Sequence, residues 1–277
     1  MISTKLLQDF QAHLVYEEKS PATIRKYLRD VAAFFDFLPL TSTLSQIHKD
    51  TTISYKKSLI QRYKAATVNS MIIPLNSFLR WYGRSDLCIQ TVKRQYQANY
   101  EQTFSRAEYE KLLACAQQHG MPRIYFIMRT LASTGIRISE LKYLTYEKLS
   151  EPSITVYGKR KQRQIYIPRP LCQQLKQYCE AHNQTEGLVF CGRNKNKLID
   201  PAYIWRELAA VSHYAGITPG KVHAHAFRHF FAKMYIERYQ NLTELADMLG
   251  HSSLETTRLY TRTSGEEKRA HLEALQL

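Results

Sequence analysis

Thr134-Gly135-Ile136-Arg137-Ile138-Ser139-Glu140-Leu141 lies near the middle of a 277-residue chain and decides how the rest is read. Glycine tolerates the left-handed backbone that ends helices. Gly135 therefore reads as the stop of one helix, with Arg137 at the start of the next and Glu140 three residues on. Toward the C-terminus, two further clusters carry reactive side chains. One is His225-Ala226-Phe227-Arg228-His229. The other is Leu249-Gly250-His251, followed nine residues later by Tyr260 in Thr256-Thr257-Arg258-Leu259-Tyr260.

Together these are the parts needed to cut a phosphodiester without a metal. Two guanidiniums give bidentate hydrogen bonds to phosphate oxygens. Charge accumulates on those oxygens in the transition state, so fixed cations lower the barrier. A tyrosine becomes a covalent nucleophile when its phenol is deprotonated or its attack is assisted. Histidines move protons near neutral pH, and a lysine on a basic hairpin can protonate the leaving 5′ oxygen. Each part alone has a blander reading. Arg137 by itself is a surface ion-pair residue, Tyr260 is one of 19 tyrosines, and a basic hairpin tip is a solvated turn. His225 and His229, four apart with His223 just before, have a spacing that suits zinc. The chain has no HExxH pattern, and Arg228 would place a cation beside the metal. The case rests on the constellation.

The surrounding sequence divides in two. Ser105-Arg106-Ala107-Glu108 forms a capping box that opens a helix within a second domain, 103–277. Helices are expected there over 106–117, 122–133, 169–182, 201–214, 226–238, 242–249 and 253–260. A last helix over 267–277 carries apolar Leu272, Leu275 and Leu277. The β-rich runs 153–157 and 164–168 flank Gly158-Lys159-Arg160-Lys161-Gln162-Arg163 and read as a hairpin with a basic tip. Residues 91–102 are polar and basic, with little apolar periodicity, and read as a linker.

The first domain, 1–90, reads as a bundle of four or five helices, the first near Leu6–Leu14. Ser20 caps the second, with Pro21 at its first position. Its Ile24, Leu28, Val31, Phe35 and Leu38 share one face. Asp50 is expected to cap a helix running through Ile53 and Leu59. Another runs from about Ala66 to Tyr82, with Ile72, Leu75, Phe78 and Leu79 inward and Pro74 kinking it or restricting its start. The fold class is mainly α with a small β-sheet: a helical N-terminal domain followed by an α+β domain.

Composition narrows the partner. Hydrophobic residues make up 44% of the chain, enough for a real core, which excludes wholesale disorder. The net charge of +15 and pI of about 9.6 point to a polyanion, nucleic acid before an anionic membrane. Residues 1–99 hold 14 Lys/Arg against 7 Asp/Glu, and the remainder 25 against 17, so both halves are basic and suited to one polymer. Five cysteines, an odd number without a CxxC pair, argue against a disulfide scaffold or cysteine zinc site and fit a reducing cytosol. The N-terminus has neither a signal peptide nor an apolar span, so no membrane partner is expected.

The constellation resembles the tyrosine recombinase family, which includes the Xer recombinases and phage and transposon integrases. The N-terminal part shares the family's core-binding pattern through Ser20, Pro21, Thr23, Tyr27 and Phe34. The resemblance implies a SAM-like core-binding domain and a tyrosine-recombinase catalytic domain. It implies that Arg137 and Arg228 clamp the phosphate and that Glu140 orients active-site groups. By the same resemblance, Lys159 acts as general acid, with Lys161 two residues away as the competing choice. His225 assists proton transfer, His251 hydrogen-bonds the phosphate, and Tyr260 forms a 3′-phosphotyrosyl link. Phe227 stands where the family often has Leu.

The family works without metal, cofactor or ATP, through a Holliday junction, as a homotetramer on two double-stranded DNA sites. It integrates, excises or resolves DNA. The resemblance thus implies a cytoplasmic, nucleoid-associated protein of bacterial type. The chain's length leaves no room for an arm-binding domain of the lambda type, which favours an Xer-like or mobile-element recombinase. The 267–277 helix would dock on a neighbouring subunit or fold back on its own domain. Two alternatives remain: a type IB topoisomerase, which relaxes DNA with similar chemistry, and a DNA-binding regulator without catalysis.

Overall fold

The computed structural model describes residues 4–39, 46–93, 104–157, 162–218 and 220–250, together with Thr257, Arg269, Glu273 and Ala274. The chain separates into two compact units, Met1–Gln97 and Ala98–Leu277.

The first unit contains α1 (Thr4–Tyr16), α2 (Pro21–Phe37), α3 (Lys49–Arg62) and α4 (Ala65–Trp81), then a 3-10 turn at Ser85–Leu87. The Ser20 hydroxyl accepts from the Thr23 N–H at 3.3 Å, and Pro21 opens α2 as expected. Ile24, Val31, Phe34 and Leu38 are buried, whereas Leu28 and Phe35 are only partly so. Phe34, not among the residues expected on that face, is fully buried. The helix packs on both α1 and α4, so its apolar face is wider than a single stripe.

α3 differs more from expectation. It begins at Lys49 with Asp50 inside its first turn, and Thr52, Tyr55 and Leu59 face inward while Ile53 is exposed. The Thr52 hydroxyl donates to the Leu87 carbonyl at 3.0 Å, so a polar residue belongs on the inner face and the apolar count misjudges the phase.

α4 buries Ile72, Leu75, Phe78 and Leu79 as expected and runs through Pro74. Proline offers no N–H to the carbonyl four residues back. The Ser70 carbonyl instead accepts from Lys26 Nζ at 2.6 Å, and the same ammonium pairs with buried Asp30 at 2.5 Å. Asn76 exchanges two hydrogen bonds with the Ile89 backbone, and Asn69 does the same with Val92. The bundle therefore holds the chain as far as Val92. Most of the expected 91–102 linker lies outside the described residues.

The second unit opens with the expected capping box. The Ser105 hydroxyl accepts from the Glu108 N–H, and the Ser105 N–H donates to the Glu108 carboxylate at 2.6 Å. Its helices up to Gly250 are, among the described residues, α5 (Arg106–Gln118), α6 (Pro122–Thr134), α7 (Arg169–Ala181), α8 (Pro201–Tyr214), α9 (Ala224–Tyr239) and α10 (Leu242–Leu249). Phe227 of α9 is buried against Phe104, ring centroids 4.7 Å apart, in the core that also takes Met128, Leu131 and Leu208.

β1 (Ile154–Tyr157) and β2 (Gln162–Ile165) pair antiparallel, with Ile154 opposite Ile165 and Tyr157 opposite Gln162. The second strand therefore starts and ends earlier than the expected 164–168. The polar run Gln162-Arg163-Gln164 forms most of the strand because Arg163 points inward to an ionic partner. Of the expected helix over 253–260, Thr257 is described and is helical and buried. Of the 267–277 helix, Arg269, Glu273 and Ala274 are described, helical and exposed; the rest, with Leu272, Leu275 and Leu277, lies outside the described residues.

Candidate active site

α6 ends on Gly135, whose φ of +61° is the left-handed stop expected from the sequence. A Cβ there would lie 2.5 Å from the Phe231 ring and 2.8 Å from the Leu249 side chain. The chain then turns into a 3-10 helix, Ile138–Tyr143, with Arg137 at its cap. Glu140, at the third helical position, reaches back as a helix-start carboxylate does. It accepts from the Arg137 N–H at 2.7 Å and from the Arg137 guanidinium at 3.1 Å. The Glu140 side chain is 5% exposed, and that of Arg137 is 44% exposed, so the pair leaves part of this guanidinium open.

Arg228, on α9, is 1% exposed. Its Nη1 donates to the Gly135 carbonyl at 2.7 Å and its Nη2 to the Leu249 carbonyl at 2.5 Å. Those carbonyls stand at the C-terminal ends of α6 and α10. Helix ends carry unsatisfied acceptors and a partial negative charge, which is why a full cation tolerates this depth. α10 also stops on a left-handed glycine, Gly250, at φ +63°.

His225 and His229 stack edge to face on α9, centroids 4.5 Å apart. His225 keeps an exposed edge. Desolvation, then the charges of Arg228, His223 and Arg137, hold its imidazole below the usual histidine range. His225 lies three residues before Arg228 on α9, one turn away on the same side of the helix. His229 is pushed down to about 4 by burial, then by His225, His223 and Arg228. A neutral His225 can accept a proton near pH 7. Among the described residues, no group of three His, Cys, Asp or Glu side chains is placed to hold a metal ion.

Sequence reasoning missed Arg163. From β2 it donates to both Glu140 oxygens, at 2.9 and 2.8 Å, and through Nε to the Met248 carbonyl at 3.0 Å. The available signal was an arginine two positions before an apolar isoleucine, in register across the hairpin from apolar Val156. The structure thus brings Arg137, Glu140, Arg163, His225 and Arg228 together from three separate stretches of chain. Lys159, Lys161, His251 and Tyr260 lie outside the described residues.

A helical unit followed by a helical domain with one small hairpin is the fold of the tyrosine recombinases. A lambda integrase dimer bound to a COC′ core site superposes with a TM-score of 0.77 at 16% identity, over 96% of this chain and 78% of that one. XerH bound to palindromic difH, in a post-cleavage complex, gives 0.74 at 18% identity, over 92% and 80%. The chain belongs to the phage integrase family: residues 102–267 match the family's model, and residues 7–85 match the phage integrase N-terminal SAM-like domain. Its relatives include tyrosine recombinase XerA of Pyrococcus furiosus, 28% identical over 100% of this chain and 96% of the relative. Tyrosine recombinase XerC of Rickettsia africae is 36% identical over 52% of this chain and 47% of its own length.

Proposed function

We propose that the chain is a site-specific tyrosine recombinase that cuts and rejoins DNA strands with Tyr260 as nucleophile. The observation that supports this most is the convergence of Arg137, Glu140, Arg228 and His225 in a chain of the phage integrase family. In this reading the Tyr260 oxygen attacks the scissile phosphorus, and the 5′ oxygen leaves with a proton from Lys159. His225, held neutral, takes the phenol proton. Arg137 meets the phosphate oxygens with its open side, Arg228 adds positive charge from behind, and His251 donates a further hydrogen bond. Glu140 orients Arg137. The 3′-phosphotyrosyl link conserves the bond energy, so a 5′ hydroxyl from another strand can attack it and restore a phosphodiester without ATP.

The partner is double-stranded DNA carrying a recombination site, consistent with the basic charge of both halves. A lambda integrase tetramer has been solved on a Holliday junction, and a homotetramer on two sites is the corresponding assembly here. Such a protein works in the cytoplasm beside the chromosome. Among the described residues, no helix is long and apolar enough to cross a membrane.

The test is a suicide substrate whose cut end diffuses away, read as a protein–DNA adduct on a denaturing gel. Wild-type protein should form the adduct with EDTA present, because arginines meet the phosphate charge. Tyr260→Phe should bind the DNA and form none. An adduct from the Phe variant, or none from the wild type on its own site, overturns the reading. Strand exchange between two sites, compared with relaxation of supercoiled DNA, separates a recombinase from a topoisomerase.

A further inference from the structure

Arg163 takes no part in the reaction as assigned to the other residues. Its side chain is 10% exposed, and three of its N–H groups are committed to Glu140 and Met248. A Cβ on Gly250 would lie 2.6 Å from Arg163 Cδ, so the guanidinium crosses this turn only because position 250 is glycine. Arg163 therefore joins three parts: the hairpin strand β2, the carboxylate that caps Arg137, and the end of α10, from which the chain runs on to His251.

The charges add a second consequence. Glu140 and Arg137 alone form a neutral pair, and a phosphate approaching Arg137 would meet a cation already cancelled. With Arg163 bonded to both Glu140 oxygens, the group of three carries one net positive charge. Arg163 is 10% exposed against 44% for Arg137, so the open face of the group is the Arg137 side.

We propose that Arg163 is a positioning residue for Arg137. By holding and neutralising Glu140 it keeps the Arg137 guanidinium oriented and cationic toward the scissile phosphate. Its bond to Met248 registers the hairpin against the turn before His251. The inference rests on the recombinase reading, in which Arg137 meets the phosphate.

The experiment measures the rate of adduct formation on the suicide substrate for Arg163→Met, Glu140→Gln and the double variant. Rates are taken per DNA-bound complex, so that misfolded protein is not counted. Arg163→Met should cleave on the order of 100-fold more slowly, because a displaced catalytic group costs about that much. Glu140→Gln should lose on the order of tenfold. In the double variant the uncancelled carboxylate is gone, so it should cleave about tenfold faster than Arg163→Met alone, a coupling within the range for contacting residues.

A role confined to holding the fold together would make the double variant equal to or slower than Arg163→Met, and that result overturns the proposal. If Arg163→Met does not yield folded protein, Arg163→Lys takes its place. Lysine keeps the charge but not the planar fork, so its rate should fall between those of wild type and the expected Arg163→Met. A wild-type rate in Arg163→Lys also overturns the proposal. Failure of the recombinase reading looks different, because the wild type would then form no adduct through Tyr260.

Discussion

Arg228 donates to the carbonyl of Gly135, 93 residues earlier in the chain, at 2.7 Å. Through this bond and its partner at Leu249, one guanidinium holds the ends of α6 and α10 together. Arg137 and Arg228 should therefore respond differently to truncation. Arg228→Ala strands two buried carbonyls and is expected to cost about 3 kcal/mol or more of stability, as breaking buried charged networks does. Arg137→Ala should change stability by less than about 1 kcal/mol, since its ion pair is partly open to solvent. It should still slow cleavage by on the order of 100- to 1,000-fold. Urea denaturation and adduct formation measure the two effects, and an Arg228→Ala protein as stable as wild type would refute the strut.

The two helix-ending glycines give a second prediction. Alanine in a left-handed conformation costs about 1–2 kcal/mol by itself. At Gly83 (φ +81°) and Gly187 (φ +73°) an added methyl would meet nothing within 4 Å, so Gly83→Ala and Gly187→Ala should lose only that amount. Gly135→Ala and Gly250→Ala should lose more, the first by forcing Phe231 and Leu249 apart and the second by displacing Arg163. Gly250→Ala should in addition slow cleavage per bound complex. Equal melting temperatures for all four variants would refute the packing argument.

Much of this was legible in the sequence, because local signals there agree with the final packing. The Ser20 cap, the Ser105–Glu108 box and the Gly135 stop each work through atoms within a few residues, so spacing reveals them. The register of β2 and the phase of α3 were not legible. In both, a polar residue faces inward because of a partner far along the chain: Arg163 toward Glu140 and Met248, and Thr52 toward Leu87. Apolar periodicity counts such residues as outward-facing. Arg137 and Arg228 could be picked out only through their motifs, and their difference in exposure depends on where α6 and α10 end.

The histidines set a pH dependence. His229 titrates at about 4 in the folded protein, whereas a histidine in an unfolded chain titrates near 6.5. Below about pH 6.5 the unfolded chain binds a proton that the folded protein refuses, so folding is favoured fully above that pH and progressively less toward pH 4. His225 shifts in the same direction. Melting temperature should hold between pH 7 and 8 and fall between 6.5 and 4. His229→Gln should flatten that fall, and an unchanged slope in the variant would assign the acid lability to other groups.

The last prediction concerns the first unit, where Lys26 supplies the hydrogen bond that Pro74 cannot. Lys26→Met removes the donor to the Ser70 carbonyl and leaves Asp30 with Arg29, at 3.0 Å, as its remaining ion-pair partner among the described residues. The expected cost is about 2–3 kcal/mol, because a buried carboxylate and a helix carbonyl both lose partners. Pro74→Ala returns an N–H four residues beyond Ser70. In wild type that N–H is largely redundant, since Lys26 already serves the carbonyl. In the Lys26→Met background it should recover about 1 kcal/mol more than it does in wild type, a coupling of the size seen between residues that share a partner. Urea denaturation of the four proteins in the cycle measures it. Strict additivity would mean that the Ser70 carbonyl finds water once Lys26 is gone, and that the helix runs through Pro74 without help from its neighbour.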